Sequence, residues 1–305
     1  MKCLRACEDS HVYVILPYFN FCSSVRRRTL FVDFVKRYTS TKDVRLVVVE
    51  CTNGTMPLPF MPHTFMHIKI ESRDTLWIKE SLINIGIERL PSCWRYVAWI
   101  DADVMFVNER WVQMTKEALE TYDVVQCFHT AIHLGPSGDP IKQDKSFGYM
   151  HASSGTPYTK NDKYGFWHPG FAWACHRDAY TRMGRLLDWA ILGSGDRHMA
   201  LALIGRVLDS APGNVHTNYK TLLLSFQRSV QGLRLGWVPG TIVHHWHGSL
   251  KDRKYKERWD TLTSEQYDPL SDVGLTQHGL TQFTASGKRF NPLIEQYFRD
   301  RHEDS

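Results

Sequence analysis

No stretch of the 305 residues comes near the ~20 consecutive apolar residues that a membrane-spanning helix needs. The apolar part of the opening MKCLRACEDSHVYVILPYF is also too short and too interrupted for a secretory leader. Neither an anchor nor a leader is expected. The seven cysteines, Cys3, Cys7, Cys22, Cys51, Cys93, Cys127 and Cys175, are odd in number and include no Cys-x-x-Cys pair. That argues against a disulfide framework or a thiolate zinc site and predicts reduced thiols in a cytoplasmic setting. Internal repeats, low-complexity runs and a Pro/Gly/Ser-rich linker are absent too, so most of the chain should be ordered. The excess of charge is small, +5 with a pI near 8.8. It suits a phosphate-bearing substrate but is too sparse for a dedicated nucleic-acid binder, and no helix-turn-helix, zinc finger or RNP signature accompanies it.

What is present is a core-forming composition, 43% hydrophobic over 305 residues, enough for one large α/β domain. Residues 1–260 are expected to form that domain, with 261–305 as a C-terminal appendage of little periodic signal. Strands are predicted at residues 11–17 (HVYVILP), 44–50 (VRLVVVE), 66–70, 96–100, 124–128, 170–175 and 241–245. Helices are predicted at 21–38 with Asn20 as cap, and at 74–89, 110–122, 178–190 and 197–208. The alternation argues for a mostly parallel central sheet flanked by helices. Residues 129–169 read as a long loop without regular structure, a length that points to a substrate lid or a surface insertion.

The strongest local feature is AWIDADVMF, an apolar strand that delivers Asp101 and Asp103 to the carboxyl edge of the sheet, where open α/β sheets bind ligands. A spacing of two on an extended chain puts both carboxylates on one side, where they can hold Mn²⁺ or Mg²⁺; a solvated acidic turn is the plainer alternative. A second feature, VHHWHGSLKDRKY, offers His245 and His247 as further metal ligands and Lys251 as a phosphate contact. The His-rich run also suggests zinc, against which stand the missing thiolates and the paired Asp. In LLDWAILGSGDRHMALALIG, Asp196 opens a helix and can serve either as a plain cap or as a general base. Tyr18 and Glu50 stand at the ends of the first two strands, where a base can be stacked and a ribose hydroxyl accepted.

The segment WIKESLINIGIERLPSCWRYVAWIDADVMF resembles the β-1,4-galactosyltransferases and the wider GT-A glycosyltransferases, in which a basic residue, an Asn and a Gly precede the Asp-x-Asp strand. Lys79, Asn84 and Gly86 occupy those positions, which implies that Lys79 and Asn84 lie near a nucleotide; the galactosyltransferases carry Arg where this chain has Lys79. His245, Gly248 and Lys251 are similar to the His-x-x-Gly-x-x-Lys of glycogenin-like transferases, implying His as third metal ligand and Lys on the diphosphate. From Lys79 to Trp259 the texture of WHPGFAWA, GSGDRHMALALIG and HHWHGSLKDRKYKERWD resembles the glycosyltransferases of the base J glucosyltransferase type and their phage relatives. That resemblance implies a UDP-sugar donor and a hydroxymethylated pyrimidine in double-stranded DNA as acceptor. Arg26-Arg27-Arg28 and Lys251-Asp252-Arg253-Lys254 would then meet phosphates, and Tyr149, Tyr158, Tyr164, Phe166 and Trp167 would stack on a flipped base or else serve as core. A glycan, lipid-linked sugar or protein acceptor, and a binding module without catalysis, remain as alternatives.

Overall fold

The computed structural model describes residues 9–54, 56–153, 155, 157–160, 167–249 and 251–305; Cys3, Cys7, Tyr164 and Phe166 lie outside them. The first strand shows why the chain folds as it does. β1 (Asp9–Phe19) is buried along most of its length. Alternate side chains part into two cores: Val12, Val14 and Leu16 join Phe31, Phe34 and Trp111 on one face, while Tyr13, Ile15 and Phe19 join Leu82, Ile83 and Ile85 on the other. A strand apolar on both faces must be covered on both, which is what helices on either side of a mostly parallel sheet provide.

The helices that cover the sheet follow in chain order. α1 (Val25–Tyr38) precedes β2 (Val44–Thr52) and β3 (Met66–Glu71), and α2 (Lys79–Glu88) precedes β4 (Trp94–Ile100) and β5 (Val104–Phe106). Then come α3 (Trp111–Leu119), β6 (Val124–Gln126), β7 (Thr130–Leu134), β8 (Pro140–Lys145), α4 (Phe147–Ser153) and β9 (Ala172–His176). The rest comprises α5 (Arg177–Met183), α6 (Gly195–Leu203), α7 (Thr217–Val230), β10 (Leu235–Trp237), β11 (Thr241–His244), α8 (Arg258–Ser264), β12 (Val273–Leu275), β13 (Thr281–Phe283) and α9 (Asn291–Arg299).

The main sheet has the order β10-β6-β9-β4-β1-β2-β3, and only β9 runs antiparallel to its neighbours. The expected mostly parallel α/β sheet is therefore present. A second sheet, β5-β11-β7-β8, stands beside it. Its strands β7 and β8, with α4, occupy the segment expected to be a loop. β7 finds its parallel partner β11 about a hundred residues later in the chain, a pairing that local pattern does not reveal.

Other boundaries shift for local reasons. Asn20 does not cap α1: its amide bonds both backbone groups of Ser24, and the Ser24 hydroxyl accepts from the Arg27 amide as the cap. The helix expected from residue 74 begins at Lys79, because the Asp74 carboxylate accepts instead from the Phe283 amide and from Lys288. α7 was not anticipated, although Tyr219, Leu223, Phe226 and Val230 form its buried stripe. Residues 261–305 add Phe283, Phe290, Ile294 and Phe298 to the core that α2 and β1 share.

Gly86 lets α2 lie close on the sheet: a Cβ there would come within 2.7 Å of Ile15 Cγ2 and 3.0 Å of Val49 Cγ2. Gly86→Ala gains helix propensity of about 1 kcal/mol but overpacks at a cost of about 1–3 kcal/mol. Chemical denaturation should show a net loss of about 1 kcal/mol; a more stable variant would mean that the helix can lift without cost.

Candidate active site

β4 and β5 are separated by a turn of three residues, and the turn places Asp101 and Asp103 at the rim of a cavity of about 390 Å³. Main-chain bonds fix them both. The Asp101 amide donates to Phe171 O at 2.7 Å, and Asp103 O accepts from the His245 amide at 2.8 Å. Phe171 holds a left-handed φ of +81° and Ser194, at the start of α6, the same value. Such backbone is costly for residues other than glycine and persists where the surroundings enforce it. The Phe171 ring stacks on His168 at 4.2 Å, and the Ser194 hydroxyl accepts from Arg258 at 2.6 Å.

The two carboxylates of the Asp-x-Asp turn have separate partners. Lys79, at the first turn of α2, reaches Asp101 Oδ1 at 2.6 Å and Asp196 Oδ2 at 2.8 Å, and it is almost fully buried. Burial opposes the Lys79 charge, but the Asp101 and Asp196 carboxylates outweigh it and hold the ammonium well above its ordinary pKa. Burial, reinforced by Asp103 and Asp196 against Lys79, pushes the Asp101 carboxyl up to about 6.

Asp103 faces the other way, into a group of imidazoles. Its Oδ2 lies 2.8 Å from His247 Nε2 and 3.8 Å from His244 Nε2, and the two imidazole nitrogens are 3.3 Å apart. Arg253 Nη2 stands 2.9 Å from the same His247 Nε2. Arginine only donates, so that contact leaves His247 Nε2 without a proton to give Asp103. Burial is the first cause acting on Asp103 and opposes its charge; His247, His244 and Arg253 reverse it and hold the carboxyl below its ordinary range. Burial pushes both imidazoles below their ordinary value as well, so at neutral pH they present lone pairs rather than positive charge. Asp103 Oδ1 is shut off from solvent and has no hydrogen-bond partner among the described residues. Converging lone pairs and an orphaned carboxylate oxygen are what a divalent cation would satisfy, and Asp103, His244 and His247 form a group that fits one.

Several sequence expectations land elsewhere. His245 is outside the metal group, and His244 takes its place: β11 buries Ile242 and His244 on one side, so alternation along the strand turns His245 away. Asp101 gives its carboxylate to Lys79 and is not among the grouped ligand atoms. Asn84 is buried away from the cavity, where its amide bonds Leu186, Asp188 and Tyr180 and so ties α2 to the segment after α5. Glu50 accepts from the Leu58 amide at 2.6 Å and meets His67 at 2.7 Å, holding the exit loop of β2. Lys251 is exposed and does not line the cavity. Tyr18, Lys79, Asp101, Asp103, Asp196 and His247 all line it.

The sequence reading also missed residues that belong to the wall. Arg27, grouped with Arg26 and Arg28 as a DNA-phosphate contact, lines the cavity and forms a two-pronged pair with Glu303 at 2.7 and 2.6 Å. Arg301 bonds the same carboxylate at 2.8 Å, while Asp304 accepts from the amides that open α1. The Arg27–Glu303 and Asp304–α1 contacts join residues some 280 positions apart, and no local motif signals them.

Glu80, next to Lys79, is buried against Gly195, where an added Cβ would collide with the Glu80 carboxylate. Burial first, and the Asp196 carboxylate second, push Glu80 up to about 8. The folded chain therefore binds a proton there that the unfolded chain releases from about 4.5 upward, so stability contributed by this group falls as pH rises from 4.5 to 8. Glu80→Gln should flatten the melting temperature across that window. An unchanged slope would show that Glu80 is ionised in the fold.

No family model and no curated protein matches the sequence. Among solved structures, the catalytic domain of Drosophila β1,4-galactosyltransferase 7 in complex with xylobiose shares 12% identity, covering 93% of this chain and 98% of that one at a TM-score of 0.45. A mannosyltransferase from Pyrobaculum calidifontis in complex with GDP-Man and Mn²⁺ shares 14% identity, covering 94% of this chain and 69% of that one at a TM-score of 0.44. A glycosyltransferase involved in glycosylation of the major capsid of PBCV-1 shares 13% identity, covering 80% of this chain and 96% of that one at a TM-score of 0.33.

Proposed function

We propose that the chain is a GT-A-type glycosyltransferase that moves a sugar from a UDP-sugar to a hydroxyl acceptor with the help of a divalent cation. The observation that carries this reading is the Asp103 carboxylate, with one oxygen orphaned and the other facing two neutral imidazoles, at the rim of a cavity lined with arginines. Two imidazole nitrogens and a carboxylate oxygen suit Mn²⁺ better than Mg²⁺, which prefers oxygen donors. Bound there, the cation would supply neutralising charge to the departing diphosphate.

The chain's own residues do the remainder. Arg27, Arg253 and Arg301 present positive charge at the same rim for phosphate oxygens. Lys79 holds Asp101 and Asp196 in fixed relation across the cavity. In our reading the acceptor oxygen forms its bond to the anomeric carbon as the bond from that carbon to the diphosphate breaks. Asp196 takes the hydroxyl proton and UDP leaves with the electron pair.

For the acceptor we propose the hydroxymethyl group of a modified pyrimidine in DNA. Supporting it are the exposed Arg26 and the half-buried Arg28 beside the cavity residue Arg27, and the Lys145 ammonium 5.7 Å from the Tyr149 ring, a cation-aromatic surface of the kind that holds nucleic acid. Trp167 and Phe147 instead pack in the core, which reduces the aromatic set available to a flipped base. The test is Mn²⁺-dependent transfer of labelled sugar from a panel of UDP-sugars to DNA carrying 5-hydroxymethylcytosine or 5-hydroxymethyluracil. Label on modified DNA alone supports the full reading. Metal-dependent UDP release without DNA label moves the acceptor to a glycan, lipid-linked sugar or protein, and absence of turnover with every donor contradicts the enzymatic reading.

A further inference from the structure

A second group of nitrogen and oxygen donors lines the same cavity, and the nucleotide-sugar reading makes no use of it. His133 projects from β7, Asp144 from the antiparallel strand β8, and His168 from the segment that leads to β9. We propose that these three residues form a second divalent-cation site, separate from Asp103, His244 and His247, with a preference for a transition metal such as Zn²⁺ or Mn²⁺.

The geometry supports this in three ways. One donor atom from each residue lies within 4.8 Å of the other two. Metal–ligand bonds of about 2.0–2.2 Å span at most about 4.4 Å between opposite ligands, so closure on a cation needs only small side-chain movements. His133 Nε2 stands 2.9 Å from Asp144 Oδ2 but without hydrogen-bond geometry, and the nitrogen is buried with no hydrogen-bond partner among the described residues. Two ligand atoms held at about 2.1 Å from one cation in adjacent positions lie about 3 Å apart, so the 2.9 Å contact fits neighbouring ligands of a shared ion set beside them. Two imidazoles and one carboxylate are, moreover, the donor set that first-row transition metals accept while keeping a position for water or a substrate oxygen.

The sites are neighbours but share no ligand. The His133 and His244 rings are 5.1 Å apart, while the second group leans toward the side of the cavity where Asp196 stands: a Cβ built on Gly170 would be 3.8 Å from both Asp196 Oδ2 and His168 Nδ1. Metal at the second site would pin the β7–β8 hairpin to the chain entering β9, on the side of the cavity where Asp196 stands.

Two contacts of the metal-free chain compete with loading. The Lys142 ammonium donates to Asp144 Oδ2 at 2.7 Å, and His168 Nδ1 accepts from the Gly170 amide at 3.2 Å. Lys142 is 41% exposed at its side chain and free to swing into solvent. Its removal should therefore strengthen metal binding, a direction opposite to that of every ligand substitution.

The experiment is equilibrium loading of the full chain, stripped with chelator, by Zn²⁺ and separately by Mn²⁺, with bound metal counted by mass spectrometry after desalting and affinity measured by chelator competition. Wild type is expected to take up two equivalents. Asp144→Asn and His168→Gln should each retain one, Asp103→Ala one, and the Asp103→Ala/Asp144→Asn double variant none, with circular dichroism confirming the fold of each. Lys142→Gln should bind the second equivalent severalfold more tightly. A wild-type chain that takes one equivalent and loses it only in Asp103→Ala overturns this site and leaves the glycosyltransferase reading standing. Loss of one equivalent in Asp144→Asn but none in Asp103→Ala keeps this site and contradicts that reading. Two equivalents in Asp144→Asn, or none in wild type, overturn the proposal.

Discussion

Asp103→Ala should lower metal-dependent UDP release from a UDP-sugar by about 100- to 1000-fold, the loss found when one preorganised electrostatic element of a transition state is removed. The fold should survive. Asp103 lies in a turn, and its Oδ1 has no hydrogen-bond partner among the described residues. Because its carboxyl is held below the ordinary range, the charged form contributes stability at neutral pH, so melting without metal should fall modestly, and the Mn²⁺-induced rise expected of wild type should shrink. Turnover within a few-fold of wild type would show that the cation is not held here.

The second large effect concerns stability. Lys79 is buried between Asp101 and Asp196, and removing its ammonium leaves two carboxylates facing each other without a cation. Breaking a buried pair from one side costs about 3–5 kcal/mol, so Lys79→Met should lower the denaturation free energy by that amount. Adding Asp101→Asn to it should restore part of the loss, because one of the stranded charges is gone. A loss below about 1 kcal/mol, the level of exposed ion pairs, would mean that water reaches Lys79 and compensates it.

The parts of this site that were legible in the sequence are those carried by one strand and its exit. Residues 96–100 read as a buried strand because five apolar or aromatic side chains are consecutive, and the carboxylates that follow must then fall at a sheet edge. In the sequence Asp196 reads as opening a helix, and Lys79 is placed by the family resemblance alone, inside a helix expected from residue 74; both line the cavity. His244 was within reach as well: the alternation of buried and half-buried residues along β11 puts it with Ile242, whereas the choice of His245 followed the spacing of a motif. Asn84 shows the opposite failure. It matches a pattern, yet its amide is consumed by four groups of the α5 region, which only tertiary packing brings together. Arg27 with Glu303, and β7 with β11, depend on contacts across 276 and about 110 residues, where local periodicity carries no information.

The central claim is that Asp103, His244 and His247 hold a cation which in turn holds a nucleoside diphosphate. It is tested most directly by calorimetric titration of UDP into the chelator-stripped chain with and without Mn²⁺. The account predicts at least about tenfold tighter binding with the metal, equivalent to about 1.4 kcal/mol, with the gain lost in Asp103→Ala. Equal affinity with and without Mn²⁺, or a metal gain that persists in Asp103→Ala, would contradict it.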